Sequence, residues 1–438
     1  MKIVPPVLMI LADSITNRLF YTVETIFFNQ AILVTDKAIF REYDGFRIAY
    51  TQINDIAANL WIKPHGLLHE KGLKQPAVEC VNWEGLTAFF GTNQGFSFDF
   101  FAAAFYLITR YEEYNPQSQK DQYGRFKHEN ALAYKYEFLH LPLIQCWLKK
   151  LKDKGYLPIN FQLPKFSFIP TYDIDMAYSY LHRGVITNAG GFFKDFINGN
   201  IAAVEERIAV LTSQKADPYD VYNWLDLLHD SLDLKPIYFF LVANRNNGAD
   251  KNISPKNLAL KKLIKQHSEK YIVGIHPSIQ SNKAKSLLEG EIASLQSNSE
   301  VDITRSRQHY IFLQFPDTYR SLIATGITDD YSMGYANVHG FRASCSFPYK
   351  WYDLEKDMPT ALIVHPFCYM DSTAIFHLSM HVAEAAKVMQ QYIDTIKEYG
   401  GECIMIHHNN FLTNQPAFIN WRLAYADFLL SNFTCDSV

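Results

Sequence analysis

From about residue 160 onward the chain alternates short apolar runs with stretches of helical periodicity, and this pattern restricts the architecture more than any other feature. Strands are expected near 166–173, 236–243, 271–275, 361–365 and 402–406, with helices over 220–233, 256–268 and 373–398. Strand and helix in alternation imply a parallel sheet or barrel covered by helices. The residues that end the runs are as informative as the runs themselves. Asp173 and Asp175 follow the first, His276 follows YIVGI, His365 sits beside ALIV, and His407 and His408 follow CIMI. In a (β/α) barrel the loops after the strand C-termini build one face, and functional groups collect there.

The first region reads differently. FSFDFFAAAFYLITRYEEY (96–114) predicts a helix capped near Ser97 or Asp99 and stopped by Asn115-Pro116, and a polar loop, NPQSQKDQYGRF, follows it. A second helix over about 140–153 runs into Gly155 and Pro158, so a boundary is placed near 160: residues 1–160 form an N-terminal accessory domain and 161–438 a barrel domain. A chain of 438 residues with 48% hydrophobic and 15% aromatic content can fill two such cores. The segment 176–270 is long for a barrel loop and must hold elements of its own. A formal charge of −4 with acids and bases interspersed excludes the basic face that nucleic acid requires. Six cysteines, at 80, 146, 345, 368, 403 and 435, lack metal or redox spacing and suit reduced thiols in the cytoplasm. The N-terminal apolar run is short, broken by a Pro pair and without a cleavage site, so no signal peptide is expected. No run reaches the roughly 18–20 apolar residues of a membrane span.

Within FSFIPTYDID (166–175) the two aspartates stand at i and i+2, on one side of a strand. Two carboxylates closing an apolar strand carry a desolvation cost unless a cation, an Arg or water compensates them. That arrangement serves a metal and a general base; it also serves a strand end whose carboxylates accept bonds from the next helix.

Four segments, TYDID (171–175), GIHPS (274–278), GFRASCSFPY (340–349) and IMIHHN (404–409), resemble in order the motifs of the polysaccharide deacetylases of the NodB homology type. The resemblance covers about 165–438. It implies an α/β fold: a distorted (β/α) barrel of the polysaccharide deacetylase type, preceded here by a smaller α+β N-terminal domain. FDFFAAAFYLITRYEEY with DQYGRF resembles the helper domain of a bacterial subgroup, to which the resemblance assigns no chemistry.

The implied activity is metal-dependent hydrolysis of a linear amide, removing N-acetyl groups from an N-acetylated sugar or polysaccharide. By resemblance Asp173 is the general base and Asp175 a metal ligand, with the two roles exchangeable. The family's second motif carries two histidines four residues apart, whereas His276 is followed by Gln280. His309, in TRSRQHYIF, is the substitute ligand, with His365 or water as alternatives. Zinc suits an Asp-His-His set, and other divalent ions are admitted. Arg342 matches the motif Arg that holds the base carboxylate, against a plain salt bridge. Tyr349 is assigned to the sugar cleft. Asp371, in PFCYMDST, either orients the catalytic His or caps the helix that follows. His408 is the general acid, with His407 beside it as the alternative, since only one of two successive strand residues faces the site. Three competing readings stay open: an inactive carbohydrate-binding or scaffold relative, suggested by the missing second His; an amidohydrolase acting on a small cyclic amide; and an unrelated α/β fold.

Overall fold

A computed structural model describes residues 6–243 and 248–434. Cys435 and the first five residues of the N-terminal run lie outside the described residues. The first region is built on four parallel strands, β1 (Leu8–Ala12), β2 (Ala31–Val34), β3 (Phe46–Tyr50) and β4 (Leu60–Ile62), in the order β2-β1-β3-β4. The central strand, LMILA, is buried at every position, as a strand covered on both faces requires. An antiparallel pair, β5 (Cys80–Trp83) and β6 (Leu86–Phe89), lies beside it.

The helix expected over 96–114 spans Phe100–Ile108 and is buried throughout. Asp99 caps it, accepting from the Ala102 amide at 3.0 Å, and also takes the Tyr50 hydroxyl at 2.7 Å. The helix stops short of Asn115-Pro116 because Arg110 turns left-handed, with φ of 55°, to reach Glu112 and Glu113. The second expected helix forms over Leu143–Asp153.

All strands of the large sheet fall after residue 160: β7 (Phe166–Ile174), β8 (Ile237–Phe240), β9 (Ile272–Ile275), β10 (Arg305–Ser306), β11 (Asp329–Met333), β12 (Tyr349–Asp353), β13 (Met358–Pro366), β14 (Tyr369–Met370) and β15 (Gly401–His408). Their order is β12-β13-β11-β10-β9-β8-β7-β15-β14, parallel except for β12. The sheet closes on itself because β13 runs almost directly into β14. The Phe367 amide donates to Met333 of β11, and the next amide, Cys368, donates to Ile404 of β15, so one stretch of chain bridges both flanks. The result is a distorted (β/α) barrel.

Its interior is a small apolar cluster including Ile237, Phe239, Tyr331, Phe367, Ile404 and Ile406. Gly274 makes room for it: a Cβ there would lie 2.6 Å from the Phe239 ring. A separate apolar cluster runs from Leu8 through Phe101 and Phe161 to Leu429, so the two sheets share packing. The helix expected over 373–398 begins only at Val382, where His381 and Glu384 form a capping box; residues 373–377 make one wide turn before it. Strands β10, β11, β12 and β14 were not among those expected: β10 and β14 have two residues each, and β11 (DDYSM) and β12 (YKWYD) are not apolar runs.

Candidate metal and catalytic site

The inward face of β7 presents Ile169, Thr171 and Asp173 in turn, and Asp175 follows just beyond the strand. Asp173 pairs in register with His408 of β15 on one side and Phe239 of β8 on the other. The Asp173 carboxylate is buried and takes the Arg307 guanidinium at 3.2 Å. Arg307 is fixed in turn by the Tyr331 carbonyl at 3.0 Å, by Thr171 Oγ1 at 2.7 Å, and by the face of Phe239, 4.7 Å from the ring centroid. The expectation that Arg342 holds Asp173 is corrected here. Arg342 forks onto Glu113 of the first region at 2.9 and 2.5 Å and donates to the Gly334 carbonyl, with both ionic side chains at most 3% exposed. Arg307 stands two residues before His309, just past the two-residue strand β10, and no local period in the sequence pointed to it.

Asp175, His276 and His309 converge: one ligand atom from each lies within 4.8 Å of the others. His276 Nε2 is 3.1 Å and His309 Nε2 3.4 Å from the Asp175 carboxylate. Each ring is oriented from behind. His276 Nδ1 donates to the Arg307 carbonyl at 2.6 Å, and His309 Nδ1 meets Asp250 at 2.8 Å. With Nδ1 carrying the proton, both Nε2 lone pairs aim at a carboxylate, which is repulsive unless a proton or a cation lies among them. The donor set therefore fits a divalent metal ion. Burial works against it, yet the two imidazoles hold Asp175 well below the usual carboxylate range. For His309 burial likewise opposes charge, and Asp175 and Asp250 outweigh it, raising the ring to about 9. Asp250 carried no sequence signal.

His408 is gripped by Asp371, which accepts from the backbone amide and from Nδ1, both at 2.6 Å. Burial disfavours the imidazolium, but Asp371 first and then Asp175 and Asp173 raise the His408 ring to about 10. Its Nε2 faces the centre, 3.8 Å from Asp175. Asp371 also takes the Ser372 amide at 2.6 Å, but the long helix starts only at Val382. His407 is turned the other way, its ring 4.0 Å from Tyr425, and burial pushes it down to about 4.

Two further expectations are corrected. His365 lies at the opposite pole of the barrel, between Asp329 at 3.1 Å and Glu402 at 2.7 Å, because β13 enters the barrel with its C-terminal half beside the starts of β11 and β15. Tyr349 is buried in the large apolar cluster and does not line the cavity. The cavity above Asp173, Asp175, His276, His309 and His408 has a volume of about 590 Å³, within the usual range for small-molecule sites.

A family model described as a family of unknown function (DUF7033) matches residues 8–154. No curated protein matches the chain. Solved structures that match include a putative polysaccharide deacetylase from Mycobacterium smegmatis, at 12% identity over 63% of this chain and 87% of that one, with a TM-score of 0.41. A probable polysaccharide deacetylase from Pseudomonas aeruginosa PAO1 matches at 12% identity over 66% and 92%, with a TM-score of 0.39. IcaB from Ammonifex degensii matches at 12% identity over 39% and 87%, with a TM-score of 0.23.

Proposed function

We propose that this protein is a metal-dependent hydrolase that removes N-acetyl groups from an N-acetylated sugar or polysaccharide. The observation that carries the proposal is the convergence of Asp175, His276 and His309 beside a second carboxylate, Asp173, and His408 on the floor of one cavity, with Asp371 holding His408 from behind. Asp175, His276 and His309 would hold the divalent ion, and zinc suits such a nitrogen and oxygen set without excluding other divalent ions. When bound, the ion polarises an acyl carbonyl and acidifies water.

Asp173 is the general base: it accepts the proton of the attacking water while the Arg307 guanidinium, donating to its carboxylate, fixes its direction. His408, protonated against Asp371, is the acid that delivers a proton to the departing amine nitrogen. Arg342 has no part in this chemistry; with Glu113 it ties the 340–349 loop to the first region. The inactive-relative reading was motivated by the absent second His, and the orientation of His309 toward Asp175 favours the enzyme instead. The boundary near residue 160 is retained as the division between an accessory part and a catalytic part, and a reducing, cytoplasmic setting is part of the proposal. Among the described residues no helix is long and apolar enough to cross a membrane.

The test is acetate release from N-acetylglucosamine oligomers by the metal-loaded protein, in wild type and in Asp173→Asn. Release that needs the metal and falls by at least about a hundredfold in Asp173→Asn, with metal content unchanged, is the expected result. Metal-loaded wild type that releases no acetate from any N-acetylated sugar or oligosaccharide, or an Asp173→Asn variant with full activity, overturns the reading.

A further inference from the structure

The cavity is not made by the barrel alone. A tight turn of the first region, residues 120–126, closes by a bridge between Lys120 and Phe126 and forms one wall. Asp121 organises it, its carboxylate accepting from the Tyr123 and Arg125 amides at 2.9 Å each and from Arg125 Nε at 2.7 Å. Two contacts dock the turn on the loop that carries His309. Arg125 Nη1 donates to the Tyr310 carbonyl, and Gln314 Nε2 donates to the Gly124 carbonyl at 3.1 Å. Gly124 has φ of +86°, a backbone conformation that favours glycine.

What the turn brings to the cavity is specific in kind. Tyr123 and Tyr310 lie with ring centroids 5.4 Å apart, and both stay more than a third exposed. Lys120 and Lys127 from the first region and Lys251 from the barrel line the same space. Among the described residues, none of these three ammonium groups has a carboxylate partner. The nearby carboxylates are engaged: Asp121 with Arg125, Asp173 with Arg307, and Asp175 with the two histidines. The wall therefore offers aromatic faces and uncompensated positive charge above the acidic floor.

We infer that the 120–127 segment is the substrate-recognition element of the cavity, with Tyr123 and Tyr310 holding a sugar ring and Lys120, Lys127 and Lys251 holding an anionic group, so that the substrate is an acidic glycan. The reaction rests on the deacetylase proposal; the recognition does not. Amphipathic aromatic rings suit a sugar with one apolar face. Flexible ammonium groups suit a carboxylate or phosphate whose exact position is set by the ring. A uronate within the glycan and a phosphate at its reducing end share this chemistry.

The experiment is calorimetric titration of the metal-loaded full chain with three probes, paired with acetate release from each. The probes are a tetrasaccharide alternating N-acetylglucosamine and glucuronate, a neutral N-acetylglucosamine tetramer, and UDP-N-acetylglucosamine. An anionic probe is expected to bind on the order of tenfold tighter than the neutral tetramer, with the preference shrinking at high salt. A double variant, Lys120→Ala with Lys127→Ala, is expected to lose that preference at an unchanged melting temperature. Tighter binding of the acidic tetrasaccharide identifies a uronate; tighter binding of the UDP-sugar identifies phosphate. Equal affinity for neutral and anionic probes, or a preference that survives the double variant, overturns the inference even if acetate is released. An anionic preference without acetate from any probe leaves the recognition standing and removes the deacetylase reading instead.

Discussion

Arg342→Met separates a structural arginine from a catalytic one. The Arg342–Glu113 fork is buried, with side-chain exposures of 2% and 3%, and is made through two contacts of 2.9 and 2.5 Å. Removing one partner of such a pair strands the other charge and costs about 3–5 kcal/mol. Glu113 keeps a second cation, Arg110, at 2.8 Å, so Arg342→Met is expected at the low end of that range. Glu113→Gln deprives two buried arginines at once and is expected at the high end. In a chain of this size each kcal/mol moves the melting temperature by roughly 2 °C, which places the two variants roughly 6 and 10 °C below wild type. The double variant should fall short of the sum, with a coupling of about 1–3 kcal/mol. The assay is thermal and urea denaturation followed by circular dichroism, with acetate release measured well below the transition. Folded Arg342→Met should keep kcat/KM within about threefold of wild type. A variant with wild-type stability that loses at least about a hundredfold in kcat would refute this reasoning and return Arg342 to the reacting carboxylate.

Asp250→Asn removes the carboxylate behind His309 and should weaken divalent-ion affinity by roughly 10–100-fold, read by titration against a competing chelator; unchanged affinity would take His309 out of the ligand set. His365 is buried, which opposes its charge, but Asp329 and Glu402 raise it to about 9. A raised folded-state value makes the contribution complete below the unfolded value of about 6.5 and lost as pH climbs through about 9, up to about 3 kcal/mol in all. Urea midpoints should therefore fall over that window in wild type and not in His365→Gln, and parallel profiles would exclude the account. Gly274→Ala places a methyl 2.6 Å from the Phe239 ring and 2.9 Å from the Arg305 carbonyl, so a loss of about 1–3 kcal/mol is expected in denaturation; wild-type stability would mean the barrel interior yields freely.

The division between what the chain spells out and what folding adds follows a physical line. Local rules suffice where a property depends on neighbours in sequence. Apolar runs alternating with helical stretches specify a barrel-like α/β fold. The i, i+2 spacing puts Asp173 and Asp175 on one side, and opposite facing of successive strand residues separates His407 from His408. Such rules fail where the partner is distant or the element is too short to show a period. Strand β10 has two residues, too few to reveal that Arg307 and His309 both point inward. Arg342 lies in an apolar context that names no partner; tertiary packing gave it Glu113 from the first region and gave Asp173 to Arg307. His365 ends an apolar run, as the site residues do, yet the offset of β13 carries it to the other pole. The polar loop NPQSQKDQYGRF names no partner in the sequence, and its docking on the Tyr310 loop turns it into a wall of the cavity. Local pattern was enough for the architecture and for one side of the site. Which charges meet, and which surface they meet on, was decided by tertiary structure, because ion pairs and cavities depend on distances between elements that no local spacing encodes.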